Sequence, residues 1–75
     1  MENLLSRITL NPEISHRKPT IRGTGYLVSA ILGYLAGGDS VEDILREFPD
    51  LAREDILACI AYASMKLKDI EVPTA

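Results

Sequence analysis

A proline lying nine residues beyond a capped helix start does most to limit how this chain folds. In the stretch GGDSVEDILREFPDLAREDILACIAYA, residues 37–63, the Ser40 hydroxyl is placed to accept from a free backbone N–H in a first helical turn. Asp43, three residues on, is a shortened version of the capping-box acid and suits the positive end of a helix. Val41, Ile44, Leu45 and Phe48 follow at helical spacing, and Pro49 ends the run because its ring cannot continue the hydrogen-bond ladder. A longer helix then opens with Glu54 and Asp55 in its first turn, and the spacing predicts that Ile56, Ile60, Ala63 and Leu67 face the core. Two helices joined by so short a turn must cross steeply to share a core, which defines a helix-turn-helix unit. Small helical domains of many functions contain such pairs, so the pair by itself assigns no activity.

Upstream of it the pattern changes. Arg7-Ile8-Thr9-Leu10 alternates polar and apolar residues and predicts a short strand, closed by the turn signal Asn11-Pro12. Residues 13–18 read as a loop, and Thr20-Ile21-Arg22 as a second short strand after Pro19. Gly23-Thr24-Gly25 is a turn whose glycines supply positive φ. Strands this short need a helix, or strands exchanged with a second copy, to lie against. Tyr26 to Ala36 reads as the first long helix, apolar at Leu27, Val28, Ile31, Leu32 and Leu35 and stopped by Gly37-Gly38. Gly33 inside it costs about 1 kcal/mol against Ala, which points to a close approach of another backbone. The chain is therefore read as one domain over 1–75: a short β segment and loops over 7–25, a three-helix core over 26–68, and a tail over 69–75.

With 75 residues the core is near the size where burial alone only just stabilises a fold, so pairing into a homodimer is the expected remedy. Phe is present once and Trp not at all, so the core must be built from Ile, Leu, Val and Ala. No apolar run is long enough to cross a membrane, and Glu2 with a short apolar stretch does not resemble a signal peptide. The lone Cys59 cannot form an internal disulfide, which fits a cytoplasmic location. The net charge of −3 hides an asymmetry. Up to Gly38 four basic residues face two acidic ones; from Asp39 onward four basic residues face nine acidic ones, a net of −5. A helix that enters a DNA groove is usually basic, whereas this one begins acidic, so any DNA contact must draw on the N-terminal third.

The residues offer little for catalysis. His16 sits beside Arg17 and Lys18, whose charges disfavour its protonated form, and has no carboxylate nearby in sequence to orient it. Cys59 falls mid-helix on an apolar face, where a thiol is usually inert filler. No Cys/His spacing fits zinc, and no acidic loop fits Ca²⁺. The chain is read as a non-enzyme with no cofactor, no metal and no small-molecule substrate. Its second helical face, at Cys59, Tyr62 and Met65, is expected to meet a partner, because so small a core can hardly surround a helix. The strand residues Ile8 and Leu10 are expected in the same interface. Arg7, Arg17, Lys18 and Arg22 form the basic set, which a two-fold dimer would double and present to a palindromic site.

Taken in order, RITLNPEI, KPTIRGT, ILGYLAGGDSVEDILREFPDL and REDILACIAYA resemble the family known as domain of unknown function 433. The resemblance runs from Arg7 to about Ala63. It implies a mainly α fold, a homeodomain-like three-helix bundle with a helix-turn-helix, preceded by a short N-terminal β segment. It also implies a prokaryotic antitoxin of a type II toxin–antitoxin pair, related to the VapB group, which dimerises, binds operator DNA as an autorepressor and neutralises a PIN-like ribonuclease toxin. In that reading Arg17, Lys18 and Arg22 meet phosphates and Arg53 enters the groove. The alternative is a protein–protein interaction or adaptor module without DNA-binding activity, which the acidic C-terminal half favours. Three departures from the family pattern bear on this. His16-Arg17 stands in place of glycines, and Gly25-Tyr26 replaces an Arg-Ile pair, removing a positive charge. Ala52 stands where a hydroxyl residue would cap the last helix, leaving Asp50 as the expected substitute cap.

Overall fold

The N-terminal segment folds back on itself before any helix of the bundle begins. The structure is a computed structural model that describes residues 3–10 and 18–67. A single 3-10 turn, Leu4–Arg7, starts where the Asn3 side chain accepts from the Leu5 N–H, and it leads into strand β1, Ile8–Thr9. β1 pairs antiparallel with β2, Thr20–Ile21, in the register Ile8 opposite Ile21 and Thr9 opposite Thr20. The Arg22 N–H extends the ladder to the Arg7 carbonyl at 2.7 Å.

The other edge of β2 is also occupied within the chain. The Ile21 N–H donates to the Tyr26 carbonyl at 2.8 Å, the Val28 N–H donates to the Pro19 carbonyl at 3.0 Å, and Leu27 bridges Thr20. No strand exchange with a second copy is needed to satisfy it. The turn between uses Gly23 at φ +81° and Gly25 at φ +76°, as its glycines predict. Thr24 locks it: its hydroxyl donates to the Ile21 carbonyl and accepts from the Tyr26 N–H, both at 3.0 Å.

Because Leu27 stays extended in that bridge, the first helix, α1, runs over Val28–Ala36 and not from Tyr26. It ends in a Schellman arrangement. The Asp39 N–H donates to the Tyr34 carbonyl, the Gly38 N–H to the Leu35 carbonyl, and Gly38 adopts φ +107°. Gly33 does not serve a close approach: it is exposed, and a methyl group added there would meet nothing within 4 Å.

Helix α2, Val41–Glu47, carries the capping box in full. The Asp43 N–H donates to Ser40 Oγ at 3.0 Å, and the Ser40 N–H donates to Asp43 Oδ2 at 2.9 Å. Phe48 closes the helix before Pro49. Helix α3, Arg53–Leu67, follows after residues 48–52. Its start is held by Asp55, whose Oδ2 accepts from the Ala52 N–H at 2.8 Å. Asp50 accepts instead from the Tyr26 hydroxyl at 3.1 Å, so the substitute cap comes from Asp55, the third residue of the helix, and not from Asp50.

The molecule is thus mainly α, a three-helix bundle whose last two helices form the helix-turn-helix pair, preceded by a two-stranded β segment. Its core gathers Ile21 from β2, Val28 and Ile31 from α1, Ile44 from α2, Leu51 from the connection and Ile56 and Cys59 from α3, with Ile8, Tyr26, Phe48 and Tyr62 packed at the edge. Among the described residues no helix is long and apolar enough to cross a membrane.

Candidate functional site

Helix α3 is the element on which the sequence placed both a core face and an interface, and its rotation decides which residues a partner meets. Its buried residues are Asp55, Ile56, Ala58 and Cys59. Leu57, Ile60 and Leu67 are exposed, at 40%, 43% and 55% of their surface. With Ser64, also exposed, they recur at intervals of three, four and three residues, which is one continuous helical face. The assignment from spacing is therefore corrected. Ile60 and Leu67 lie outside and only Ile56 of that stripe is fully covered, while Cys59, expected in an interface, has no exposed surface at all. Tyr62 and Ile8 likewise pack against the core. Of the expected interface set, Leu10 and Met65 remain exposed.

The phase of α3 is fixed by an ion pair that the sequence does not announce. Arg7 Nη1 donates to Asp55 Oδ1 at 2.9 Å, with 22% and 11% of the two side chains exposed. Arg7 thus holds the N-terminal turn onto α3 and is a structural cation, not a phosphate contact. An acid in the first turn, ordinarily read as serving the helix dipole, here also turns inward.

The other basic residues divide. Arg53 Nη1 donates to Glu42 Oε1 at 2.8 Å across the helix pair, and this hydrogen bond is the largest cause holding the Glu42 carboxyl below its ordinary range. Arg46 pairs with Asp43 at 3.5 Å. The exposed Arg22 donates from Nη1 to the Ser6 carbonyl at 3.3 Å, and Lys18 is exposed. Arg17 and His16 lie outside the described residues. The structure therefore gathers Lys18 and Arg22 on one segment and sets Arg53 apart on α3, tied to a carboxylate.

Two further features have no catalytic character. Burial, and secondarily the Asp55 charge, pushes the Cys59 thiol up to about 11, so it is protonated and inert at neutral pH. Among the described residues no group of His, Cys, Asp and Glu could hold a metal ion. At the junction of α1 and α2 a cleft of about 360 Å³ is lined by Tyr34, Ile44, Phe48, Asp39, Asp43, Glu47 and Arg46. The sequence does not point to it, because one ring lies on α1 and the other just past the end of α2, 5.6 Å apart between centroids.

Comparison with known proteins agrees with this architecture. A crystal structure of a DUF433 member protein from Anabaena variabilis ATCC 29413 superposes with a TM-score of 0.77 at 25% sequence identity. That alignment covers 85% of this chain and 63% of the other, so the chain spans somewhat under two thirds of its solved relative. No curated protein matches. The pattern of the family described as "Protein of unknown function (DUF433)" matches residues 8–63, which is most of the chain and includes every element from β1 through the buried part of α3. This chain belongs to the DUF433 family.

Proposed function

We propose that this protein is an antitoxin that acts by protein–protein contact, neutralising a ribonuclease toxin through the outward face of α3. The observation that carries the reading is the row Leu57, Ile60 and Leu67, left uncovered on a helix whose opposite side is already fully engaged. Three large aliphatic side chains on one helical face are a poor surface for phosphates and a good one for a partner's apolar groove. The acidic balance of residues from Asp39 onward suits a basic partner such as a ribonuclease and steers its approach. Arg53 flanks the same face at its N-terminal end, but its pairing with Glu42 reduces its value as a groove contact.

The experiment is co-purification with the product of the neighbouring gene, read together with inhibition of the ribonuclease activity that product should show. The wild-type chain should form a stable complex and suppress RNA cleavage. The pair Leu57→Glu and Ile60→Glu should lose the complex while keeping its thermal midpoint, since neither residue is in the core. Absence of any complex with wild type removes the antitoxin reading. A homodimer that excludes the nuclease would give the α3 face to a second copy.

The autorepressor reading stands second. The helix pair favours it, together with Lys18 and Arg22 on one exposed segment. Anisotropy titration against the upstream DNA at two salt concentrations tests it: specific binding that weakens steeply with salt supports it, and binding equal to that of random DNA rejects it.

A further inference from the structure

The cleft at the junction of α1 and α2 has two unlike walls. One side is aromatic. Tyr34 is 43% exposed, and its ring lies 5.6 Å from the Phe48 ring, which in turn lies 5.1 Å from that of Tyr26. The other side bears Asp39, Asp43 and Glu47 against the single cation Arg46. These carboxylates are not equivalent. Asp43 is committed to the capping box and to Arg46, whereas the Asp39 and Glu47 side chains make no hydrogen bond or ion pair among the described residues. Arg46 reaches Asp43 at only 3.5 Å with 76% of its side chain exposed, so it sits at the rim and does not fill the space.

We propose that this cleft receives an arginine side chain of the protein partner, its guanidinium laid on the Tyr34 and Phe48 rings and its N–H groups directed to Asp39 and Glu47. Charge complementarity selects a cation. An aromatic wall favours a planar, weakly hydrated guanidinium over an ammonium, and two unpaired carboxylates can each take a share of its five donors. The inference rests on the reading of the molecule as a protein-binding module and deepens it. The α3 face supplies apolar area, and the cleft supplies an anchor specific to a basic partner, in the manner of an interfacial hot spot.

The test needs no identified partner. The isotope-labelled protein is titrated with an acetylated, amidated Gly-Arg-Gly peptide and with its citrulline and lysine counterparts, following backbone and aromatic NMR signals. The arginine peptide should give saturable shifts confined to the Tyr34 and Phe48 rings and residues 39–48. The lysine peptide should be several-fold weaker and the citrulline peptide without saturable effect. Asp39→Asn with Glu47→Gln should weaken the arginine response at least tenfold while leaving the rest of the spectrum in place, which itself reports an intact fold. Arg46→Ala, which removes the resident cation, should strengthen it. Equal responses to arginine and citrulline, shifts spread over the whole surface, or an unchanged response in the double variant would each overturn the proposal. Because the Leu57/Ile60 test uses the complex and this one the isolated chain, either reading can fail without the other.

Discussion

Arg7 and Asp55, 48 residues apart in the chain, meet at 2.9 Å, and the second oxygen of the same carboxylate accepts from the Ala52 N–H. One side chain thereby joins the N-terminal turn, the helix-turn-helix connection and α3. Removing the guanidinium leaves a nearly buried carboxylate with only one donor, a loss that costs about 2 kcal/mol in a partly exposed pair. Arg7→Met should lower the thermal midpoint by about 10 °C in a domain of this size. Adding Asp55→Asn to it should recover part of the loss, because the group left unpaired is then neutral. A double-mutant cycle by denaturant unfolding reads both; no coupling between the two sites would contradict the assignment.

Gly33 should be a site of easy stabilisation. It lies in the interior of α1 in helical conformation, and an added methyl meets nothing within 4 Å. Gly33→Ala should raise stability by about 1 kcal/mol through helix propensity and a less flexible unfolded chain. Urea unfolding measures it directly, and a lower midpoint would restore the idea of a close approach there.

The capping box gives the fold an acid-sensitive element. Asp43 is held below its ordinary 3.8, chiefly by accepting from the Ser40 backbone N–H and then from the Ser40 side chain. Glu42 is held below 4.5, chiefly by its hydrogen bond from Arg53. Both folded values lie below the unfolded ones, so this stability is present above about pH 4.5 and lost as pH falls through the lowered folded values. Asp43→Asn should flatten the fall in stability below pH 4.5. Ser40→Ala should cost about 1 kcal/mol at neutral pH. Unfolding curves collected from pH 7 down to 2 supply the comparison.

At the alkaline end Cys59 takes over. Its thiol titrates at about 11 in the fold, against an ordinary 9.0. Here the folded value is the higher one, so the contribution is complete below pH 9 and lost as pH rises toward 11. At pH 8 a thiol reagent should label Cys59 only as fast as the chain opens, and in denaturant at the full rate of a free cysteine. Rapid labelling under native conditions would mean that Cys59 is not in the core. Cys59→Ser should reduce the alkaline loss.

How much of this was legible in the sequence depended on whether the information was local. Helix α2 is readable to within a residue because Ser40, Asp43 and Pro49 mark its ends by chemistry that acts within a few positions. The glycine turn at 23–25 and the stop at Gly37-Gly38 were readable for the same reason. The facing of α3 was not. From Ile56 to Ala61 every residue is apolar, so periodicity has no contrast from which to take a phase. That phase comes from Arg7 and from the packing of β1, both distant in sequence. In sequence Arg7 is indistinguishable from the basic surface residues, because charge counts cannot reveal a partner 48 positions away. The aromatic cleft was invisible on similar grounds, since Tyr34 and Phe48 meet only after α1 and α2 have packed.

The meeting of the first turn with the third helix also sets the order in which the chain can be completed during synthesis. Residues 4–7 leave the ribosome well before their partner on α3 is made. Until α3 emerges, Ile21, Val28, Ile31 and Ile44 have no Ile56 or Cys59 to close over them. Loop closure on this scale makes the final step non-local and cooperative, so the chain passes from open to folded as a unit. A ribosome paused before Ala52 therefore holds a chain with an open core, which is a substrate for chaperones and proteases in a way the finished molecule is not.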